Sequence, residues 1–162
     1  GKESPLGQPI PLGKAEEYIF GLVLFNDWSA RDIQRWEYVP LGPFLGKNFG
    51  SSMSPWIVPL EALKPFRVKG PVQKPAPLDY LKGKGAQNCD ISLEVALSAS
   101  KTNSETIISR SNTKYLNWPL AKQLPHNTVN GCNVQDGHLK AYGTSTGPTP
   151  ISSGALPGIS RV

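Results

Sequence analysis

The chain has 162 residues, 38% of them apolar, and a formal net charge of +5 at pH 7. That length suits one domain, and the apolar share is enough for a core. Sixteen glycines and sixteen prolines exclude a helical bundle, and the modest charge excludes a disordered polyelectrolyte.

No apolar run approaches the length of a membrane span. The start, GKESPLGQPIPLG, lacks the basic and apolar regions of a signal peptide. It also lacks an initiating Met, so the chain is expected to be a piece of something longer. The two cysteines, Cys89 and Cys132, form no C-x-x-C pair and no metal-ligand spacing. A reducing, cytoplasmic setting is the simpler expectation.

In chain order, residues 1–13 are turn-rich, and the apolar run 18–25 reads as a buried strand ending at Asn26-Asp27. Asp27 then sits at the strand's C-terminal edge. Ser29 or Asp27 is placed to cap a short helix over 30–36, on which Arg31 and Gln34 share a face. Asp27 and Arg31 are placed to meet over one pocket, or to form an ordinary ion pair. The following stretch, YVPLGPFLGK, is too rich in Pro and Gly for helix or central strand. It is also too apolar for a solvated linker, so it is expected to pack and to position its few polar groups. Lys47, between Gly46 and Asn48-Phe49-Gly50, reads either as an electrostatic stabiliser or as a surface lysine on a turn.

Residues 53–60 read as a proline-interrupted strand, and 61–63 as a helical turn. Lys64, Arg67, Lys69, Lys74, Lys82 and Lys84 gather the positive charge. Pro65, Pro71, Pro75 and Pro77 interrupt that run, and Phe66 and Tyr80 are its only aromatics. It is therefore a solvated surface excursion over 65–85 rather than a nucleic-acid footprint. Residues 90–97 alternate, with Ile91, Leu93, Val95 and Leu97 on one face, which predicts a half-buried strand. Residues 105–110 form its antiparallel return. Asn112 or Thr113 caps a helix to about Leu124, burying Tyr115, Leu116, Trp118 and Leu120 and kinked or split at Pro119. Asn130-Gly131 and Asp136-Gly137 mark turns, 138–144 reads as a last strand, and the tail from Ser145 is patternless. The pattern is mainly β with short helices, an α+β class.

Several of these stretches resemble one family. NDWSARDIQRWEYVPLGPFLGKNFGSSMSPW, with PLGKAEEYIFGLVL before it, follows the core motif of the fumarylacetoacetase (fumarylacetoacetate hydrolase) family. The likeness resumes at SNTKYLNWPLAKQL, HNTVNGCNVQDG and YGTSTGPTP and so covers about 1–150, leaving 151–162 as a divergent tail. Related hydrolases, decarboxylases and isomerases share a looser ND-x-SARD pattern; WEYVPLGPFLGK is the more specific run.

The resemblance implies part of a mixed β-sandwich roll, the C-terminal catalytic domain of a protein that dimerises. It implies metal-dependent hydrolysis of the carbon–carbon bond of 4-fumarylacetoacetate, a small β-diketo acid, in the last step of tyrosine and phenylalanine breakdown. Asp27, Lys47 and Ser51 match positions around a metal, with hard oxygen ligands suiting Mg²⁺ or Ca²⁺. A charged lysine is no first ligand, so Lys47 reads as the metal's charge partner. Arg31, Gln34 and Lys47 match residues that orient substrate and stabilise negative oxygens. Gln34, Tyr38 and Thr144 match substrate contacts. The family's base histidine and three further acidic ligands are expected upstream of Gly1. His126 and His138 are expected to be structural or surface residues. Pro157 and Gly158 stand where the resemblance expects Leu and the base's Glu partner. A frameshift, a splice variant or sequence decay would each give that tail. The implied reading is a hydrolase whose isolated chain is inactive. The alternative is a catalytically silent fragment that keeps a substrate-pocket or dimerisation surface.

Overall fold

A computed structural model describes residues 2–85, 87–99 and 104–141. Its elements are β1 (Gly21–Leu22), β2 (Phe25–Asp27), α1 (Arg31–Glu37), α2 (Leu45–Asn48), β3 (Ser51–Met53), β4 (Val58–Pro59), β5 (Arg67–Val68), β6 (Asn88–Cys89), β7 (Ser92–Ala99), β8 (Ser104–Asn112) and α3 (Leu120–Thr128). The strands pair as four two-stranded sheets, β1 with β4, β2 with β3, β5 with β6 and β7 with β8. This is the α+β class read from the sequence. Among the described residues no helix is long and apolar enough to cross a membrane. Two compact units divide the chain: one takes the described residues up to Phe20 and from Pro59 on, the other runs over 21–58.

The first unit holds the core. A 3-10 turn over Leu12–Tyr18 packs Ala15 against Ile10, Ala121, Leu124 and Val134. Each large aliphatic side chain buried there contributes roughly 1.5–3 kcal/mol. Thr128, fully buried on α3, accepts from the Ile10 amide at 2.9 Å and donates to the Leu124 carbonyl at 2.9 Å. The Ser4 amide donates to the Val134 carbonyl, and the Val134 amide to Ser4 Oγ, both at 2.8 Å. Asn88, also buried, donates from its amide to the carbonyls of Thr113, Lys114 and Leu116, so a turn that would strand its carbonyls is satisfied.

The helix expected over 112–124 is split at Pro119. Asn112 caps a 3-10 turn, Thr113–Tyr115, by accepting from the Lys114 amide, and Pro119 starts α3. Tyr115 and Trp118 are exposed; α3 buries Ala121, Lys122, Leu124, Pro125 and Thr128 instead. The 90–97 strand exists, but Val95 is 52% exposed and Leu97 50%. Two strands alone cannot bury a face, and a bulge after Val95 breaks the alternation. The excursion over 65–85 is partly tied down: β5 pairs with β6, and Leu81 is buried. Arg67 bonds Glu16 at 2.7 Å. The strand expected over 138–144 is not formed over 138–141, and its remainder lies outside the described residues.

The second unit is held differently. The run over 18–25 is not one buried strand. Its last residues split between β1 and β2, which take different partners, and Phe20 and Leu24 are exposed. Gly21 permits this, since a Cβ there would lie 2.5 Å from the Val58 carbonyl oxygen. The Pro/Gly loop after α1 does not pack as an apolar segment. Val39, Leu41, Phe44 and Leu45 are all more than half exposed. Polar bonds fix it instead: the Glu37 carboxylate accepts from the amides of Phe44 (2.7 Å), Leu45 (2.8 Å) and Gly46 (3.0 Å). These are the first amides of α2, which no helix carbonyl can reach. Gly46 is buried against the Gln34 backbone, and its carbonyl accepts from the Ala30 amide at 2.9 Å.

Two predictions follow from this joint. The amides of Gly46, Phe44 and Leu45 hold the Glu37 carboxyl below the usual carboxylate range. A depressed folded pKa stabilises the fold above the unfolded pKa, and the contribution disappears as pH falls through the folded value. Glu37→Gln should therefore remove an acid-side loss of structure at α2. At neutral pH, hydrogen-exchange protection of those three amides should fall about tenfold or more; unchanged protection would show that the charge does not hold the turn. Gly46→Ala puts a methyl group 2.7 Å from the Gln34 nitrogen. It should lower stability to urea by roughly 1–3 kcal/mol, and a neutral effect would contradict the close approach.

Candidate functional site

Asp27, Arg31, Gln34, Tyr38, Lys47 and Ser51 lie in the second unit; Thr144, Pro157 and Gly158 lie outside the described residues. Asp27 ends β2 and pairs in register with Ser51, the first residue of β3. Trp28 Nε1 donates to Ser52 Oγ at 2.8 Å, which fastens the turn after β2 to the neighbouring strand. The joint at Glu37 then presents Lys47, on α2, to the end of β2.

Lys47 Nζ lies 2.6 Å from Asp27 Oδ2 and donates to Ser29 Oγ at 2.6 Å. Ser29 in turn donates to the Asp27 carbonyl at 3.1 Å. Ser29 therefore does not cap α1, and neither does Asp27; no side chain caps that helix, because both groups are committed to Lys47 and the strand end. An ammonium has three N–H bonds, and among the described residues two are used, so one is left for a ligand oxygen. The Lys47 side chain is 27% exposed and that of Asp27 47%. Solvent screening at that exposure limits the pair to about 0–1 kcal/mol of stability. Its consequence is placement: the carboxylate fixes where the lysine charge sits.

Arg31 and Gln34 meet as their spacing predicted, with Arg31 Nη1 donating to Gln34 Oε1 at 3.0 Å. With Arg35, Tyr38 and Val39 they line an open depression of about 450 Å³. Asp27 and Lys47 do not line it. The site residues thus fall into two groups, Asp27–Ser29–Lys47 and Arg31–Gln34–Tyr38. Asp27 and Arg31, expected over one pocket or as a pair, are not paired. Ser29, Glu37 and Arg35 were missed as site residues. Glu37 carried no usable signal, because the stretch after it reads as non-helical and so offers no helix start to cap.

Asp27 Oδ2 is already engaged by an ammonium. Among the described residues no group of three or more His, Cys, Asp or Glu side chains could hold a metal. Mg²⁺ and Ca²⁺ ask for more anionic oxygens than this. The residues present do not by themselves fit such a cation. The two histidines are engaged elsewhere: His126 Nδ1 shares a hydrogen bond with the Tyr80 hydroxyl at 3.0 Å, and His138 Nδ1 accepts from the Gln135 amide at 3.3 Å. Cys89 and Cys132 are both free thiols, and burial pushes that of Cys89 up.

Comparison with known proteins places this geometry in a lineage. The family model described as fumarylacetoacetate (FAA) hydrolase C-terminal matches residues 4–157. Fumarylacetoacetase of Bos taurus is 55% identical over 156 residues, covering 96% of this chain and 37% of the relative. Those of Arabidopsis thaliana and Homo sapiens are 54% and 53% identical with the same coverage. The chain thus spans a little over a third of the length of the curated relatives it matches. It belongs to the fumarylacetoacetate hydrolase family and lies within that family's C-terminal domain.

Proposed function

We propose that this chain supplies the charge-stabilising part of an enzyme that hydrolyses the carbon–carbon bond of 4-fumarylacetoacetate to fumarate and acetoacetate, in tyrosine and phenylalanine breakdown. The observation that carries this reading is Lys47, held between Asp27 and Ser29 with one N–H open, in a segment whose relatives are named fumarylacetoacetases.

In such a hydrolysis, the oxygen of water bonds to the carbonyl carbon beside the scissile bond. That bond's electron pair leaves as the enolate of acetoacetate, and a proton completes its methyl group. Negative charge accumulates on oxygen at both stages. Fixed cations and N–H donors aimed at those oxygens lower the barrier because they need no reorganisation during the reaction. Lys47, Arg31 and Gln34 are groups of that kind, and Tyr38 and Thr144 are assigned substrate contacts. Asp27 acts by holding Lys47. A divalent cation would further neutralise the diketone oxygens when bound, but Asp27 alone does not hold one, and no step is drawn through it. The homodimer implied by the resemblance belongs to this reading and is supported by the exposure of Trp36, Leu41 and Trp56.

The single carboxylate of the site favours a second reading for the chain on its own, as a silent fragment that keeps a substrate-pocket or dimer surface. Both readings are tested together. The isolated chain should leave the diketone absorbance of the substrate unchanged. Residues 1–150, replacing the matching segment of the bovine relative, should give a chimera that consumes it. In that chimera Lys47→Met should lower kcat/KM by roughly 10²–10³-fold with the fold intact. A folded chimera without turnover would sink the first reading; turnover by the isolated chain would sink the second. Calorimetric titration of the isolated chain with Mg²⁺ or Ca²⁺ should give a Kd of about 10⁻³ M or weaker. A submicromolar site would contradict the donor count.

A further inference from the structure

The depression on α1 is built from groups of one kind. Arg31 and Arg35 are one turn apart on the same helix, so their guanidinium groups share a face and repel one another. Arg31 is the first residue of α1, where the helix dipole already disfavours a cation. Among the described residues no acid of the unit forms an ion pair with either guanidinium. Glu37 is occupied by three amides, Asp27 by Lys47, and Asp32 does not line the depression. Among the described residues no carboxylate pairs with Arg35, and its side chain makes no hydrogen bond to another residue. Gln34 Oε1 accepts from Arg31, so what the Gln34 amide has left to offer a ligand is its NH₂ donor. What remains to a ligand is a set of donors: two guanidinium groups, an amide NH₂ and the Tyr38 hydroxyl, beside the apolar wall of Val39. Uncompensated planar forks beside a donor amide are the complement of a carboxylate.

We propose that Arg35 is a specificity-determining residue that, with Arg31, clamps one terminal carboxylate of the substrate in this depression. The proposal rests on the hydrolase reading above but has its own readout. Fumarate, a rigid dicarboxylate, is the probe. In the ¹⁵N-labelled 162-residue chain, titrated at constant ionic strength, fumarate should shift the Nε–Hε signals of both Arg31 and Arg35 saturably. Arg35→Gln should weaken its apparent affinity about tenfold, the effect of losing one charge-assisted hydrogen-bonded pair. Arg35→Lys should recover part of that loss, because it restores the charge without the fork. Arg35 is exposed, so both variants should keep the dispersed amide spectrum of the parent chain. A stationary Arg35 signal while Arg31 moves would overturn the proposal and leave the hydrolase reading intact. So would equal shifts by inorganic phosphate at the same concentration, which would mark a general anion patch. If neither arginine responds, the proposal fails, and the hydrolase reading is judged separately by turnover of the chimera.

Discussion

The arrangement of the second unit depends on one carboxylate receiving three amides. Glu37 ends α1 and satisfies the first amides of α2, so two helices too short to persist alone are locked at a fixed angle. The close approach of Gly46 to the Gln34 backbone removes the remaining play. Everything beyond the joint inherits its position. Lys47 follows Gly46 directly and arrives at the end of β2, where Asp27 and Ser29 receive it. Gln34, whose backbone is Gly46's packing partner, presents its side chain to Arg31. Apolar burial plays little part here, and this is why a segment with so many exposed aromatic and aliphatic side chains still has defined geometry.

The two charge clusters differ in kind. At the end of β2 a lysine and an aspartate compensate one another, and the lysine keeps one donor for a ligand. On α1 two guanidinium groups go uncompensated. One cluster is preorganised by its partner; the other is left electrostatically open. The first cluster offers a placed N–H with its charge largely balanced, the second an excess of exposed positive charge.

Much of this was legible in the sequence, and the failures share a cause. The shared face of Arg31 and Gln34 followed from helical spacing, and the place of Asp27 from the end of an apolar run. The turn capped by Asn112 and the division at Pro119 followed from local chemistry. Each depends on neighbours within one or two turns. The burial expected of the 18–25 run, of Val95 and Leu97, and of Tyr115 and Trp118 depended on what lies opposite them in space, which periodicity does not contain. The cap on α1 was misplaced for the same reason: Ser29 has the right chemistry for that role, but Lys47, eighteen residues away, takes its hydroxyl. Glu37 shows the converse, since its acceptors were filled by a loop that composition suggested would pack by its apolar side chains.

The Leu60 amide donates to the Phe20 carbonyl at 3.4 Å, so the two ends that flank residues 21–58 are already joined by a backbone bond within the first unit. The core of Ile10, Ala15, Ala121, Leu124 and Val134 draws no residue from the intervening stretch. Substitutions within residues 21–58 therefore change none of the side chains that make up that core, and they act on the charged segment's own hydrogen bonds.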